Sequence, residues 1–315
     1  MVSYAFCAES GGILAIPNPE PVLKISAVAH TTMQVWKICY MKTNGISAEP
    51  IEERSKARFG TARGDDRVEY PDDIDDKFVI VAGGGSGICH ALTKLLLEAG
   101  CSVMIADLRL RPEAENTVNA YSHPPAEPGR PSAVFHRTDM SDWTHLISLR
   151  EAALQTFGQI DIVVNGANMF EPPSSAFWHP PRISNSPGLA QIALDCWMEN
   201  CHVEGNLMWI PSMTGYTHVM MMPLYYASKA AVVNFVKCLG SPRRILGIRN
   251  SCVCPGAVFD HCRGMLRKED VALTPGQCAA VIMRVLREPQ YGEGNIVETR
   301  LDSFNAEPSI TEVPP

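Results

Sequence analysis

The sequence predicts an α/β fold built on a doubly wound, mainly parallel sheet of about seven strands. From Phe78 onward, short β-branched apolar runs alternate with amphipathic segments of helix length, which is typical of βαβ units. Hydrophobic residues make up 46% of the chain and charged residues only 19%, so the chain can bury a sizeable core. Its length of 315 residues fits one large domain, or one domain with an appendage.

Each predicted strand is a short run of mostly apolar residues, and each predicted helix is a longer segment whose apolar residues recur at helical spacing. The predicted strands are Phe78–Ala82, Ser102–Ala106, Ala133–His136, Ile160–Asn165, Gly205–Ile210, Arg249–Cys254 and Asn295–Glu298. The predicted helices are Gly87–Ala99, Asp142–Phe157, Leu189–Glu199, Leu224–Leu239 and Pro275–Leu286. Two segments rich in Pro and Ser, Tyr121–Pro131 and Pro172–Pro187, are predicted loops.

Residues 1–75 lack sustained periodicity, and they end in the charged stretch Glu52–Asp76, which contains Gly60, Gly64 and Pro71. We predict that they form a poorly ordered N-terminal extension, with a targeting or partner-binding arm as the alternative. The predicted folded domain spans residues 76–300, and residues 301–315 are a predicted C-terminal tail.

Composition excludes several classes of function. The net charge of −7 and the lack of any basic run argue against a nucleic-acid partner. No stretch approaches the roughly 18 uninterrupted apolar residues that a membrane span needs. The first seventeen residues carry no Lys or Arg, and Glu9 interrupts their apolar run, so we expect no secretion signal. The expectation is therefore a soluble, cytoplasmic protein.

Cysteines and histidines predict no metal or disulfide chemistry. The eleven cysteines are dispersed, odd in number and without a Cys-x-x-Cys pair, so we expect them to be reduced and mostly buried. His202 with Glu204 and Asp260 with His261 lack further ligands at a suitable spacing. We therefore expect no metal site.

A glycine-rich turn follows the first predicted strand. Phe78–Ala82 runs directly into Gly83, Gly84, Gly85, Ser86 and Gly87, where a helix begins. Backbone N–H groups at such a helix start can face a pyrophosphate, and glycines let the phosphates approach closely. A tight loop without a ligand is the alternative.

Asp107 stands at the end of the second predicted strand, twenty residues after Gly87. A carboxylate at this place can accept hydrogen bonds from both adenosine ribose hydroxyls and would repel a 2′-phosphate. NAD(H) is therefore favoured, while Arg109 and Arg111 keep NADP(H) as an alternative. The alternative for Asp107 itself is a helix-capping role.

Tyr225 and Lys229 are four residues apart on a predicted helix, so both project from one face. A phenol of pKa about 10 is a poor base at neutral pH, and a nearby ammonium stabilises its phenolate. Ser212, thirteen residues before Tyr225, could bind the same substrate oxygen. We predict an acid/base unit in which Tyr225 exchanges the proton and Ser212 orients the substrate. A surface Tyr–Lys pair is the alternative.

The ordered set of motifs resembles the short-chain dehydrogenase/reductase family over about residues 76–300. The motifs are VAGGGSGI at Val81–Ile88, Asp107, Asp139, NGA at Asn165–Ala167, Ser212, Tyr225-x-x-x-Lys229 and Pro255-Gly256. The resemblance implies a Rossmann-type domain that uses NAD(H) or NADP(H), with Lys229 lowering the pKa of Tyr225 and binding the nicotinamide ribose. It implies a cofactor lined by Gly83, Ser86, Gly87, Ile88, Asp107, Asp139, Met140, Asn165, Ala167, Tyr225, Lys229, Pro255, Gly256 and Val258.

Two segments narrow the resemblance. LYYASKAAVV and LGIRNSCVCPGAV look like fungal members related to 15-hydroxyprostaglandin dehydrogenase. Such members often serve secondary-metabolite pathways, which is a pointer to the substrate. We expect a secondary alcohol or ketone of mainly apolar character; Met220–Met222, just before Tyr225, could line an apolar pocket, with ordinary packing as the alternative. The family resemblance also implies a homo-oligomer, since helices such as Leu224–Leu239 often pair subunits.

Four features depart from the family pattern. Ala82 replaces the usual Thr, Cys89 replaces the third Gly, Arg182 stands where an Asn is usual, and Asp260 with His261 follows where a Thr is expected. The short middle segment also predicts that one helix covering the sheet is shortened or missing. These departures leave a second hypothesis open, a catalytically weak or inactive relative that acts as a nucleotide-binding or protein-interaction module.

Overall fold

The structure, a computed structural model, describes residues 74–167, 186–199, 204–218, 222–240, 243, 247–259, 266, 270–303 and 306–314. Its strands are β1 (Phe78–Ala82), β2 (Ser102–Asp107), β3 (Ala133–Arg137), β4 (Ile162–Asn165), β5 (Asn206–Trp209), β6 (Arg249–Pro255), β7 (Glu293–Arg300) and β8 (Ser309–Glu312). Its helices are α1 (Gly87–Glu98), α2 (Pro112–Ala120), α3 (Trp143–Phe157), α4 (Ser186–Glu199), α5 (Pro223–Leu239) and α6 (Pro275–Arg287). A 3₁₀ turn spans Met213–Gly215. The predicted N-terminal extension lies almost entirely outside the described residues.

The eight strands form one sheet in the order β3-β2-β1-β4-β5-β6-β7-β8. All pairs are parallel except β7 with β8. The chain winds outward from β1 in one direction and returns through β4 in the other, so the strand order reverses between these two strands. In a sheet of this kind ligands bind beyond the carboxyl ends of the strands, at the reversal. The predicted doubly wound α/β fold is confirmed.

Helices bury the sheet from both sides. One apolar cluster packs α1 and α6 against the sheet through residues such as Leu92, Leu96 and Val285. The other packs α3, α4 and α5 through residues such as Leu149 and Val236. Strands covered on both faces must be apolar on both faces, which explains their continuous β-branched runs.

Three elements differ from the sequence expectations. Helix α4 contains the predicted helix Leu189–Glu199, and its 14 residues pack against α3 and β4, so the covering helix expected to be shortened or missing is not missing. It begins at Ser186, earlier than predicted, because Pro187 is tolerated in a first helical turn. Helix α2 was not predicted, since its short polar sequence buries only Ala114 and Thr117. Strand β8 lies within the predicted tail and pairs with β7 along one edge of the sheet.

Within the described ranges, no helix combines the length and the apolar character that crossing a bilayer requires. The seven cysteines of these ranges are free thiols, and all except Cys238 are buried.

Arg249 joins the start of β6 to the end of α6. Its guanidinium donates to the carbonyl oxygens of Leu286 (2.6 Å), Glu288 (2.7 Å), Val285 (3.2 Å) and Tyr291 (3.0 and 3.2 Å). The last carbonyls of a helix lack partners within the helix and carry the negative end of its dipole. One side chain therefore satisfies the carboxyl end of α6.

We predict that Arg249→Lys lowers the free energy of unfolding by about 1 to 3 kcal/mol, because an ammonium keeps the charge but loses the planar fork of donors. Urea unfolding followed by circular dichroism measures the loss. Arg284→Lys is the matched control, since Arg284 makes only an exposed ion pair with Glu288 and should change stability by less than about 0.5 kcal/mol. Equal effects of the two variants would contradict the prediction.

Candidate active site

The glycine turn after β1 brings backbone very close to backbone. Gly83 has φ of +82°, and its N–H donates to the Ala106 carbonyl over 2.8 Å. A Cβ on Gly83 would lie 2.9 Å from the Cα of Ala167, so a larger residue would push β1 and β4 apart. Ser86 is extended and its side chain makes no capping bond, and Gly87 begins α1 with φ of +60°. The first turn of α1 holds no acidic residue, so its N–H groups can receive an anion.

The Asp107 carboxylate is held beside this turn. Its Oδ2 accepts from the Gly85 N–H over 3.0 Å, and its Oδ1 accepts from the Leu108 N–H over 2.7 Å. The Gly85 carbonyl in turn accepts from the Arg111 N–H over 3.1 Å. Arg111, and not Asp107, is the N-cap of α2, so the helix-capping alternative is wrong. Arg109 is exposed on the same loop.

These features fit a dinucleotide. A helix start without a carboxylate can hold a pyrophosphate, and a Cβ at Gly85 would lie 2.8 Å from the Asp107 carboxylate, so only glycine keeps the turn this close. Asp107 offers oxygens at the end of the neighbouring strand, where a ribose can be bound.

The turn between β3 and α3 lies next to Asp107. The Thr138 N–H donates to the Asp107 carbonyl over 2.9 Å, which brings Asp139 and Met140 to the same edge of the sheet. Met140 packs partly into the core beneath α3, and Ile88 is buried in the first turn of α1. Asp139 and Met140, which the family resemblance implies line the cofactor, thus lie on the turn beside Asp107.

Cys89 occupies the position of the missing third glycine, and the chain makes room for it at Gly166. Both lie where α1 packs on the ends of β1 and β4, next to the buried Asn165. A Cβ on Gly166 would overlap the Cys89 Sγ. The expected harm to helix–strand packing is therefore offset by a second glycine on the facing segment.

Tyr225 and Lys229 lie together on the buried face of α5. Tyr225 is 8% exposed and Lys229 is 2% exposed, so the alternative of a surface pair is wrong. The Lys229 Nζ lies 5.6 Å from the centroid of the Tyr225 ring. It donates to the carbonyl oxygens of Pro211 (2.6 Å) and Ile210 (3.3 Å). The ammonium is thereby anchored to the segment that leads from β5 to Ser212.

Burial lowers the pKa of Lys229 to about 8, and the thiols of Cys254 and Cys89 partly oppose this shift. At pH 7 most of the population therefore still carries the positive charge beside Tyr225. The ammonium is lost as the pH rises through about 8, earlier than for an exposed lysine.

The Ser212 turn is fixed from two sides. Ser212 is 8% exposed, and its Oγ donates to the Pro255 carbonyl and accepts from the Thr214 N–H, each over 3.3 Å. Tyr216, which ends the 3₁₀ turn, donates from its hydroxyl to Glu298 on β7 over 2.8 Å. Burial and this hydrogen bond raise the pKa of Tyr216, so its hydroxyl remains a donor at neutral pH.

The carboxyl end of β6 also lies at the carboxyl edge of the sheet, beside the Ser212 turn. The Gly256 N–H donates to the Thr299 carbonyl over 2.8 Å, and the buried Val258 forms a bridge with Leu273. Pro255, Gly256 and Val258 therefore lie beside the Ser212 turn, at the edge that also carries Lys229.

Residues 77–269 match the family of short chain dehydrogenases. The chain belongs to this family. It is accordingly an oxidoreductase of the CH–OH class that uses NAD(P) and acts on small molecules.

Two relatives of known sequence illustrate the match. An uncharacterized oxidoreductase of Staphylococcus aureus is 28% identical over 236 residues, which cover 72% of this chain and 98% of the relative. The L-fucose dehydrogenase of Bos taurus is 27% identical over 225 residues, which cover 68% of this chain and 76% of the relative.

Two solved structures share the fold. A short chain dehydrogenase from Mycobacterium avium has a TM-score of 0.64 and 18% identity, covering 77% of this chain and 87% of that chain. A 3-ketoacyl-(acyl-carrier-protein) reductase from Brucella melitensis, complexed with NADH, has a TM-score of 0.59 and 22% identity, covering 71% of this chain and 97% of that chain.

Some positions that depart from the family pattern lie outside the described residues, namely Arg182, Asp260 and His261. In the part of the chain that the structure describes, no group of three or more His, Cys, Asp or Glu side chains could hold a metal ion.

Sequence reasoning placed Gly85 and Gly166 within motifs but did not predict the contacts they make, and it missed Tyr216. Gly85 holds the Asp107 carboxylate, and its signal was the unbroken run of three glycines. Gly166 makes room for Cys89, and the sequence feature that could have indicated this is a glycine directly after Asn165. Tyr216 ties the Ser212 turn to β7, and no local pattern marked this contact across 82 residues.

We predict that Gly166→Ala lowers the free energy of unfolding by about 1 to 3 kcal/mol, because its methyl group would overlap the Cys89 Sγ. Adding Cys89→Gly should remove the overlap and recover part of the loss. A double-mutant cycle by urea unfolding should give a coupling energy of at least about 1 kcal/mol. Additive effects of the two substitutions would show that the sulfur does not fill this space.

Proposed function

We propose that this dehydrogenase interconverts a secondary alcohol and a ketone on a mainly apolar small molecule and prefers NAD(H) to NADP(H). The observation that carries the proposal is the buried ammonium of Lys229 beside the Tyr225 ring, on the same edge of the sheet as Ser212 and the glycine turn. Among the described residues, the hydrogen bonds of the Lys229 ammonium go to the carbonyl oxygens of Ile210 and Pro211 and not to a carboxylate, so its charge is not neutralised by a bonded anion.

The dinucleotide would be held by the residues that the carboxyl edge brings together. They are Gly83, Ser86, Gly87, Ile88, Asp107, Asp139, Met140, Asn165, Ala167, Tyr225, Lys229, Pro255, Gly256 and Val258. Bound there, it supplies the hydride acceptor or donor.

The chain's own residues handle the proton and the substrate oxygen. In alcohol oxidation, the Tyr225 phenolate removes the hydroxyl proton, and the Lys229 ammonium stabilises that phenolate by charge. Ser212 holds the oxygen in register through its Oγ, whose position is fixed by Pro255 and Thr214. In ketone reduction, Tyr225 returns the proton to the oxygen.

Substrate class and setting complete the proposal. The resemblance to fungal relatives of 15-hydroxyprostaglandin dehydrogenase supports an apolar substrate and a role in secondary metabolism. The proposal of a homo-oligomer that pairs subunits through Leu224–Leu239 rests on the family resemblance. The proposal of a cytoplasmic location rests on the dispersed cysteines, which indicate reduced thiols. Because the bovine relative is named for a sugar, a screen should contain both apolar ketones and sugars.

The deciding experiment incubates the full chain with NADH or NADPH and a panel of ketones, and with NAD or NADP and a panel of alcohols and sugars. Turnover of an apolar ketone supports the proposal. Nucleotide binding without turnover of any compound would favour the alternative, an inactive relative that binds nucleotide or a protein partner.

We predict that Tyr225→Phe lowers kcat by about 100-fold or more, because the phenyl ring keeps the packing and loses the proton. NADH affinity, measured by fluorescence titration, should change little. Tyr226→Phe on the same helix is the matched control and should keep at least half of the wild-type rate. If the Tyr225 variant works as fast as the wild type, the proposed mechanism is wrong.

We predict that Asp107→Ala narrows the preference for NADH over NADPH by about tenfold, since the carboxylate no longer binds the ribose or repels a 2′-phosphate. The ratio of the two dissociation constants measures the change. Glu115→Ala removes a nearby exposed charge that makes no bond to the turn, and should leave the ratio unchanged. Equal NADH and NADPH affinities in the wild type would refute the preference.

A further inference from the structure

The turn that carries Asp139 and Met140 is held by hydrogen bonds from both sides. Its Thr138 N–H donates to the Asp107 carbonyl over 2.9 Å, and the Asp139 carbonyl accepts from the Asp142 N–H over 3.0 Å. The Asp139 Oδ1 accepts from the Ser141 N–H (2.9 Å) and hydroxyl (2.6 Å). The turn is therefore closed on itself, and its Asp139 carboxylate has a defined orientation.

His145 makes the bond that ties this turn to helix α3. The Asp139 N–H donates to the His145 Nδ1 over 3.1 Å. A ring nitrogen that accepts from an amide must be unprotonated, so this bond exists only while His145 is neutral. A proton on Nδ1 would place an N–H donor opposite the Asp139 N–H donor, and the turn would lose this bond to α3 while keeping the bond from the Asp142 N–H to the Asp139 carbonyl.

A second histidine supports the same turn in its neutral form. The Thr138 hydroxyl donates to the His136 carbonyl over 3.1 Å, so its oxygen accepts from the His136 Nδ1–H over 2.9 Å. The His136 Nε2 then accepts from the Ser148 hydroxyl over 3.3 Å. Burial lowers the pKa of His136 and the nearby His145 lowers it further, so His136 stays neutral to lower pH than a free histidine.

The groups around His145 come from three elements. Asp142, on its own helix, accepts from the Thr144 and His145 N–H groups, and these bonds and the His145 charge lower the Asp142 pKa. Asp139 lies on the turn, and His136 faces from β3. The Asp139 carboxylate accepts from the Ser141 hydroxyl, and the Asp139 backbone N–H donates to the His145 ring.

We propose that His145 is a positioning residue for the adenosine end of the cofactor site, and that its neutral Nδ1 makes NADH affinity fall as the pH becomes acidic. The proposal rests on the proposed cofactor site, because Asp139 and Met140 matter to affinity only if adenosine binds there. One ordinary hydrogen bond corresponds to about a three- to tenfold change in dissociation constant.

The test compares NADH titrations of the wild type, His145→Asn and His145→Ala from about pH 8 to about pH 5.5. The Asn Oδ1 takes the place of Nδ1 and cannot be protonated. We expect the wild-type dissociation constant to rise about three- to tenfold toward acid, and the His145→Asn value to match the wild type at high pH with less than half of that rise. The His145→Ala value should be weaker throughout.

His123→Asn is the matched control, because His123 bonds Ser132 away from this turn, and it should keep the wild-type pH profile. A wild-type rise that persists unchanged in His145→Asn would overturn the inference and leave the proposed function standing. Absence of NADH binding in the wild type at every pH would instead refute the proposed cofactor site.

Amide hydrogen exchange of the cofactor-free proteins decides the positioning role independently. At neutral pH, residues 138–142 should be protected in the wild type and in His145→Asn, and should exchange several-fold faster in His145→Ala. Equal exchange in all three proteins would overturn the inference, whether or not NADH binds.

Discussion

Lys229 places an ammonium group at 2% exposure, on a helix that packs against the carboxyl end of the sheet. A buried charge is costly unless its hydrogen bonds are satisfied, and here the carbonyl oxygens of Ile210 and Pro211 accept from it. These bonds join α5 to the segment that leads from β5 into Ser212. The hydrogen bonds that stabilise the Lys229 charge therefore also hold Tyr225 and Ser212 at the same edge of the sheet.

Close packing at the reversal of strand order imposes a second constraint. β1 and β4 lie side by side, and the turns that follow them meet at Gly83 and Ala167. The Cys89 sulfur lies in this crowded region, and it fits because Gly166 has no side chain there. A departure from the family pattern at one position is thus compatible with the fold, because Gly166, on the segment that follows β4, leaves space for the Cys89 sulfur.

The hydrogen bonds at the amino ends of the strands differ in role from those at the carboxyl ends. At the amino end, Arg249 satisfies the carboxyl terminus of α6 and fixes where β6 begins. At the carboxyl end, backbone N–H groups and side chains bond across neighbouring loops, as Thr138 does with Asp107 and Asp139 with His145.

Much of this protein could be predicted from the sequence because its signals are local. Strand β1 is a short β-branched run followed by glycines, Asp107 ends the next such run, and Tyr225 and Lys229 share a helix face at a spacing of four. Local signals failed where an element is short and polar, as in α2, or depends on a distant edge, as in β8. For α4 they predicted the helix at Leu189–Glu199 but not its start at Ser186, because a proline in the first helical turn also fits a loop.

The sequence by itself determined the alternation of strands and helices that gives the fold class, the family, and the residue types available for the chemistry. Only the tertiary structure decided which alternatives survive: that Lys229 is buried and not on the surface, that Gly166 receives Cys89, and that His145 holds the Asp139 turn. The physical reason is that these contacts join residues on different elements. Their distances follow from how helices and strands pack, which no local pattern of residues records.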